Sequence, residues 1–346
     1  MELKFKYLFE YIHYCLLIVI KSFIRNNIMC VDFMENQVHD KKARLKLLEE
    51  NNFIGKILEI GALNNPLFNK NEYEVYYLDI MTTEELKENY KNEKQIVDTI
   101  LPVDFVLNDN YGNTFKDIDI EFDYVCSSHV LEHIPNPISY LLDISKILST
   151  NGRLCMLIPD KDFTFDHYRE NSSFSDWFDV YTRGERINTP RRVLDHLSSY
   201  VDENVPANYW NKQVNKYPIA YVEGCLEIYS KYIDDFDNNY FNGHYWVFTD
   251  ISFLKILANL FKFNLIPYKL VDFYPTAFND NTFGVILELD STIKNNPELR
   301  QNEVNKIRKI IKNIENRRFE IEARDLIQEN KELREKINQI MHILDR

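Results

Sequence analysis

Lys56-Ile57-Leu58-Glu59-Ile60-Gly61-Ala62-Leu63-Asn64-Asn65-Pro66 is the stretch that decides the fold of this chain. An apolar run of strand length stops at a glycine, and turn-forming residues follow. Gly61 stands where a backbone has to turn tightly or come close to a ligand. Taken alone the stretch also fits an ordinary structural turn, because the GxGxxG spacing of a dinucleotide loop is missing.

Its surroundings carry the argument further. Val75-Tyr76-Tyr77-Leu78-Asp79 reads as a second short strand and Pro102 to Leu107 as a third. Phe122 to Ser127 reads as a fourth, followed by a helix from about Ile138 to Leu148. After the Asn151-Gly152 turn, Arg153 to Ile158 reads as a fifth strand, ended by Pro159, which cannot donate to a ladder. Strands alternating with helices predict a parallel sheet. Residues 160 to 245 interrupt the rhythm. They are polar and aromatic-rich, with one helix near Arg191 to Tyr200, for which Thr189 is the expected N-cap and Pro190 the first-turn proline. The rhythm then resumes with a helix from Asp250 to Phe261 and strands at Asn264 to Phe273 and Thr282 to Leu289.

Four places of chemical interest fall at the carboxyl ends of these strands, where open α/β sheets bind ligands. One is the Gly61 loop. Another is Asp79, where an acidic side chain accepts hydrogen bonds from ribose hydroxyls. The third is Asn108-Asp109. The fourth is Phe122-Asp123-Tyr124-Val125-Cys126-Ser127-Ser128-His129-Val130-Leu131-Glu132-His133-Ile134, an apolar strand running into small polar residues and two histidines.

With these in view the chain resembles a class I methyltransferase from its first motif through its fifth strand. It is similar in particular to a bacterial subgroup associated with glycosyltransferase and surface-polysaccharide gene clusters. The resemblance rests on Leu58 to Pro66, Ser127 to Ile134, Asn151-Gly152-Arg153, Pro159-Asp160-Lys161-Asp162-Phe163-Thr164-Phe165-Asp166 and Gly243-His244-Tyr245-Trp246-Val247-Phe248-Thr249. It covers about residues 53 to 290. It implies a Rossmann-like α/β fold with a seven-stranded sheet, and S-adenosyl-L-methionine as cofactor. Glu59, Gly61, Ala62 and Asn64 are then expected in the first motif, and Asp79 on the ribose. Ile80 is expected against the adenine and Asp109 at its amino group. Ser127, Ser128 and His129 are expected beneath the methionine part. Leu63 and Asn65 stand where the wider family often has glycine.

A methyl sulfonium is already an activated electrophile, so the protein mainly has to align the partners and exclude water. A sugar hydroxyl also needs a base. The candidates are His129, His133, Asp160, Asp166, His167 and His244, with His129 first by position; a structural hydrogen bond is the competing role for each histidine. Asp166 and Arg169 equally suit an ion pair that fixes a loop. Trp177, Tyr181, Trp210, Tyr221, Tyr245 and Trp246 offer flat surfaces for sugar rings, or simply build a core. Arg169, Arg183, Arg186, Arg191 and Arg192 suit a phosphate or carboxylate. The expected acceptor is a glycan or sugar nucleotide in a bacterial surface polysaccharide pathway. The rival readings are a carboxylate or small-metabolite methyltransferase, and a coiled-coil scaffold whose cofactor domain is degenerate.

Composition bounds the rest. The chain has 346 residues and a net charge of -13 (41 basic, 54 acidic), which argues against nucleic acid as a partner. Five dispersed cysteines without a CxxC pair predict reduced thiols and a cytoplasmic protein, and no metal is expected. Residues 1–34 hold an apolar segment, Phe5 to Ile24, flanked by Lys4, Lys6, Lys21 and Arg25. It reads as a helix packed on the domain, as one lying on a membrane surface, or as a span. A charged amphipathic helix is expected over 35–52. The division is 1–34 as an apolar helix, 35–290 as the catalytic domain with 160–248 inserted on the acceptor side, and 297–346 as a coiled-coil helix. In that last part Val304, Ile307, Ile311 and Ile314, then Leu326, Asn330, Leu333, Ile337, Ile340 and Leu344, follow heptad spacing and predict a homodimer.

Overall fold

The computed structural model describes residues 41–107, 115, 118–185, 189–201, 205–214, 230 and 243–344. The apolar segment of 5–24, Asn108-Asp109, Arg186, Tyr221 and the cysteines at 15, 30 and 225 lie outside the described residues.

After a short helix α1 (Lys41–Glu50), the sheet begins with β1 (Lys56–Ile60) and β2 (Glu74–Asp79). Helices α2 (Thr83–Asn89) and α3 (Lys94–Val97) lead to β3 (Phe105–Val106), then β4 (Phe122–Ser128), α4 (Pro137–Ile147) and β5 (Leu148–Pro159). The third strand is thus two residues long, against the six expected. Only Leu78 and Asp79 pair with it, and Asp104 ahead of it turns its carboxylate onto the Tyr77 N–H (2.7 Å). The inserted region holds α5 (Phe174–Arg183), α6 (Pro190–Ser199) and α7 (Pro206–Trp210). The chain returns through α8 (Asp250–Lys262), β6 (Tyr268–Tyr274) and β7 (Thr282–Leu289), and ends in the long helix α9 (Pro297–Leu344).

The seven strands form one sheet in the order β3-β2-β1-β4-β5-β7-β6. β1 pairs in parallel with β2 on one side and β4 on the other, and β7 runs antiparallel to both β5 and β6. This mixed sheet is the Rossmann-like class I methyltransferase arrangement that the resemblance implies. Because the strand order reverses beside β1, the carboxyl ends of β1, β2 and β4 open on a shared crevice. The central strands are covered on both faces, which is why their sequences are continuous apolar runs rather than alternating ones. On one face Ile138, Leu141 and Ile144 of α4 and Phe253, Leu257 and Phe261 of α8 pack onto the strands. On the other, Ala43 and Leu47 of α1 join Ile57, Cys126 and Cys155. Both of those cysteines are buried free thiols.

Local signals account for the helix starts. Asn136 caps α4 by accepting the Ser139 N–H, with Pro137 in the first turn. Thr249 and Ser252 form a reciprocal capping box on α8, and Ser173 and Asp176 another on α5. The helix at 190–199 starts as expected at Thr189 and Pro190, although the threonine side chain makes no cap bond.

The C-terminal helix departs from expectation. Val304, Ile307 and Ile314 of α9 are buried against α8, and Arg318 reaches the Asp250 carboxylate at 2.7 Å. The first heptad stretch therefore belongs to the domain core. Beyond it, Leu326, Leu333 and Ile337 stand exposed. Among the described residues no helix is long and apolar enough to cross a membrane.

Candidate functional site

The loop after β1 is built from Glu59 outward. Its carboxylate points back into the domain and accepts the N–H groups of Leu67 (2.6 Å) and Phe68 (3.1 Å). Burial pushes its pKa up to about 7, and these bonds only partly offset that. Glu59 thus braces the loop from behind and does not line the cavity. Gly61 donates its N–H to Leu78 O (2.9 Å) and has φ 72°. A Cβ there would come within 2.9 Å of Val130 Cγ2, so only glycine leaves the turn and the loop after β4 this close. Leu63 also adopts left-handed backbone, φ 45°, a conformation that costs a leucine roughly 1–2 kcal/mol.

Gly61, Leu63, Asp79, Ile80, Met81, Tyr90, His129 and His133 line one cavity of about 220 Å³. The Asp79 carboxylate sits at the end of β2, where burial raises its pKa while the Met81 and Ile80 backbone amides oppose the rise. This arrangement fits S-adenosyl-L-methionine. An acidic acceptor, a glycine turn that a Cβ would fill, and an apolar wall from Ile80, Met81 and Leu86 converge on one space. Ala62, Asn64, Ser127 and Ser128 do not line it. Asn64 instead donates to Thr99 Oγ1 (3.3 Å), Ser127 is buried, and Ser128 accepts from Arg44 (3.4 Å). Asp109 lies outside the described residues. Met81, Leu86, Asn89 and Tyr90 were missed because their uncharged side chains carry no chemical signal in the sequence.

β4 delivers the histidines. His129 follows its last residue with φ 56°, a strained conformation for a residue with a side chain. Its N–H is held by Leu157 O (2.9 Å), and its Nε2 lies 2.9 Å from Thr282 Oγ1 on β7. A single 3-10 turn, Leu131–His133, then places Glu132 inward. Its Oε1 is 3.9 Å from His129 Nδ1, 3.8 Å from His133 Nε2 and 3.8 Å from His244 Nε2. His133 Nδ1 contacts Gly243 O at 3.2 Å. Burial holds the His133 pKa well below the usual histidine value, and its histidine neighbours add to the effect.

His244 arrives from the far side of the insertion. Its Nδ1 is 2.5 Å from Asp166 Oδ2, and Asp166 in turn accepts Arg169 (2.9 Å). Burial disfavours charge on both partners, but their attraction outweighs it. The Asp166 pKa falls well below the carboxylate range, and the His244 pKa rises.

Several expected site residues take other parts. Asp160 is buried, accepts Thr276 Oγ1 (2.7 Å) and the Asp162 N–H (3.1 Å), and caps the next turn. Burial raises its pKa to about 7. Asp166 positions His244. Arg169 is buried with Asp166, Asp195 and His244 O as partners, so it is a structural cation rather than a substrate contact. Trp177 is wholly buried among Trp246, Phe248 and Phe253, a core residue rather than a sugar platform. His167 is turned to Asp162 O (2.8 Å), and Trp210 stacks on Phe163.

Tyr245 and Trp246 are mostly buried but edge a second, larger groove of about 660 Å³ between α5 and α6, with Arg183, Arg191 and Arg192. The Arg192 guanidinium lies 3.3 Å from the Trp246 ring centroid. This groove shares no residue with the smaller cavity. The glycine turn, Asp79, His129 and His133 meet at the smaller one. The two are joined through backbone: the N–H groups of Tyr245 (2.8 Å) and Trp246 (3.1 Å) both donate to Glu132 O.

Residues 32–200 match the family profile described as a methyltransferase domain. No curated protein matches the chain. Among solved structures, it is similar to the glycopeptide N-methyltransferase MtfA complexed with S-adenosyl-L-methionine, at 16% identity over 35% of this chain and 55% of that one, TM-score 0.26. It is similar to the CurJ carbon methyltransferase at 13% identity over 74% and 54%, TM-score 0.34. A third is the N-methyltransferase NodS from Bradyrhizobium japonicum WM9, at 9% identity over 73% and 97%, TM-score 0.32. The chain spans about half the length of the first two.

Proposed function

We propose that the protein, whose residues 32–200 match the methyltransferase-domain profile, takes S-adenosyl-L-methionine as methyl donor and O-methylates a sugar of a bacterial surface glycan or its precursor. The observation behind this reading is the position of His129. It lines the same cavity as Gly61 and Asp79, at the end of β4. A neutral amine attacks through its lone pair without a base, whereas a sugar hydroxyl has to lose its proton during transfer.

The donor supplies an activated methyl group on a sulfonium. The chain supplies the rest. Asp79 accepts from the ribose hydroxyls, and Ile80, Met81 and Leu86 exclude water from the base. The turn at Gly61 lets backbone approach the methionine part. His129 takes the hydroxyl proton while Thr282 fixes its ring. The Tyr245–Trp246 groove with its arginines suits the remainder of a glycan or a nucleotide diphosphate. The exposed apolar residues of α9 beyond Arg318 support a homodimer through that part of the helix.

The test incubates the purified chain with S-adenosyl-L-methionine and a panel of sugar nucleotides, oligosaccharides and carboxylic acids. Mass spectrometry then looks for gain of one methyl group. Methylated sugar, with turnover at least 100-fold lower in His129→Ala, supports the reading. Methylation of carboxylates alone would replace it with the small-metabolite reading. One feature favours a scaffold without catalysis: Leu63 is strained and stands in the cavity wall. A folded protein that fails to bind the donor would establish that alternative.

A further inference from the structure

We propose that Glu132, His133 and His244 bind a divalent transition-metal ion of the zinc class beside the cofactor cavity. The binding is independent of which acceptor is methylated; a role for the ion in activating a hydroxyl rests on the function proposed above.

Two imidazoles and a carboxylate are a ligand set of catalytic zinc sites, in which a fourth position stays open. Here the three ligand atoms lie within 4.8 Å of one another, and Glu132 Oε1 is 3.8 Å from each Nε2. Ligands about 2.1 Å from a tetrahedral ion stand roughly 3.4 Å apart. Closing on an ion therefore asks for a contraction of about half an ångström along those two separations.

The outer support is already in place. A metal-binding histidine usually donates its other ring N–H to a carboxylate or carbonyl, which fixes the tautomer and aims the lone pair. His133 Nδ1 lies 3.2 Å from Gly243 O, and His244 Nδ1 lies 2.5 Å from Asp166 Oδ2. Asp166 is itself held by Arg169, which also bonds Asp195. Both Nε2 atoms are left facing Glu132. The Glu132 main chain is anchored by the amides of Tyr245 and Trp246, so the 3-10 turn and the segment at 244–246 are fixed to each other. A rigid frame of this kind is what a metal site requires.

The Glu132 side chain is wholly buried beside both imidazoles. His133 also lines the cofactor cavity, which joins the three ligands to that space. An ion held here would act as a Lewis acid and lower the pKa of a bound hydroxyl. His129 Nδ1, 3.9 Å from the same Glu132 oxygen, remains to take the proton. The sequence hides this site, since His244 comes from the other end of the insertion.

The experiment uses the full-length, tag-free protein stripped with EDTA and titrated with Co²⁺. The expected result is one equivalent bound, with the visible absorption of a four- or five-coordinate ion, displaced by Zn²⁺. Affinity should fall at least 10-fold in Glu132→Gln, His133→Asn and His244→Asn, each checked for folding by circular dichroism. X-ray absorption of the zinc-loaded wild type decides the matter without variants. Nitrogen and oxygen ligands near 2.0–2.1 Å with an imidazole signature support the site. A purely aqueous or sulfur shell, no stoichiometric binding, or binding unchanged in folded variants would overturn it. Calorimetry of S-adenosyl-L-methionine on the stripped protein separates the two readings: donor binding without metal sites leaves the methyltransferase standing, and cobalt binding without donor binding leaves the metal site alone.

Discussion

Replacing Asp79 with alanine is the most direct test of the donor site. In the folded protein its carboxylate accepts a long bond from the Met81 N–H at 3.3 Å. Losing that bond costs under about 1 kcal/mol. Burial already disfavours the charge, as the raised pKa records. Stability should therefore change little, and the melting temperature serves as the control. On the proposed reading, two ribose hydroxyls of the bound donor would donate to the same carboxylate. Hydrogen bonds to a charged group are worth about 1.5–3 kcal/mol each. A loss of about 3 kcal/mol, at the low end for the pair, weakens binding roughly 100-fold. Asp79→Asn keeps one acceptor oxygen and should lose roughly 10-fold. Titration calorimetry with S-adenosyl-L-methionine and its demethylated product reads both. A folded Asp79→Ala protein that binds within threefold of wild type would refute the placement of the ribose, and with it the assignment of the cavity.

Gly61→Ala should destabilise the protein by about 1–3 kcal/mol, from the left-handed backbone and the 2.9 Å approach to Val130. Adding Val130→Ala should recover the steric part but not the backbone part, as chemical denaturation would show. The Glu59 pKa is raised, so its contribution to stability is fully present below about 4.5 and is lost as pH rises through about 7. Wild type measured against Glu59→Gln should therefore lose relative stability between those pH values; a constant difference in melting temperature would contradict this. Removing the chain after Glu320 should leave the domain folded, because Val304, Ile307 and Ile314 stay in place. Light scattering should then show a dimer converted to a monomer, and a monomer in both forms would end the coiled-coil proposal.

Much of the site was legible because short-range chemistry wrote it. Gly61 ends an apolar strand, Asp79 ends the next, and His129 follows the fourth, so alternation alone carries all three to one edge of the sheet. What was misread lay where tertiary packing gives a residue its role. Trp177 and Arg169 have the chemistry of a sugar site. The insertion folds them inward, against Trp246 and Phe248 in one case and between Asp166 and Asp195 in the other. Val304, Ile307 and Ile314 have the spacing of a coiled coil, yet a heptad stripe records only that one face is apolar. It does not say whether the cover is a second copy or the chain's own α8.

The sequence by itself determined the α/β class, the seven strands, the glycine turn and the acidic strand end. These follow from periodicities of two and 3.6 residues and from the backbone demands of single positions. Tertiary structure alone decided the antiparallel β7 between β5 and β6, the partition of α9, and the meeting of Glu132, His133 and His244. The physical reason is common to all three. Each depends on contacts between segments far apart in the chain, and the distance between such segments is set by the packing of the whole sheet rather than by any local preference.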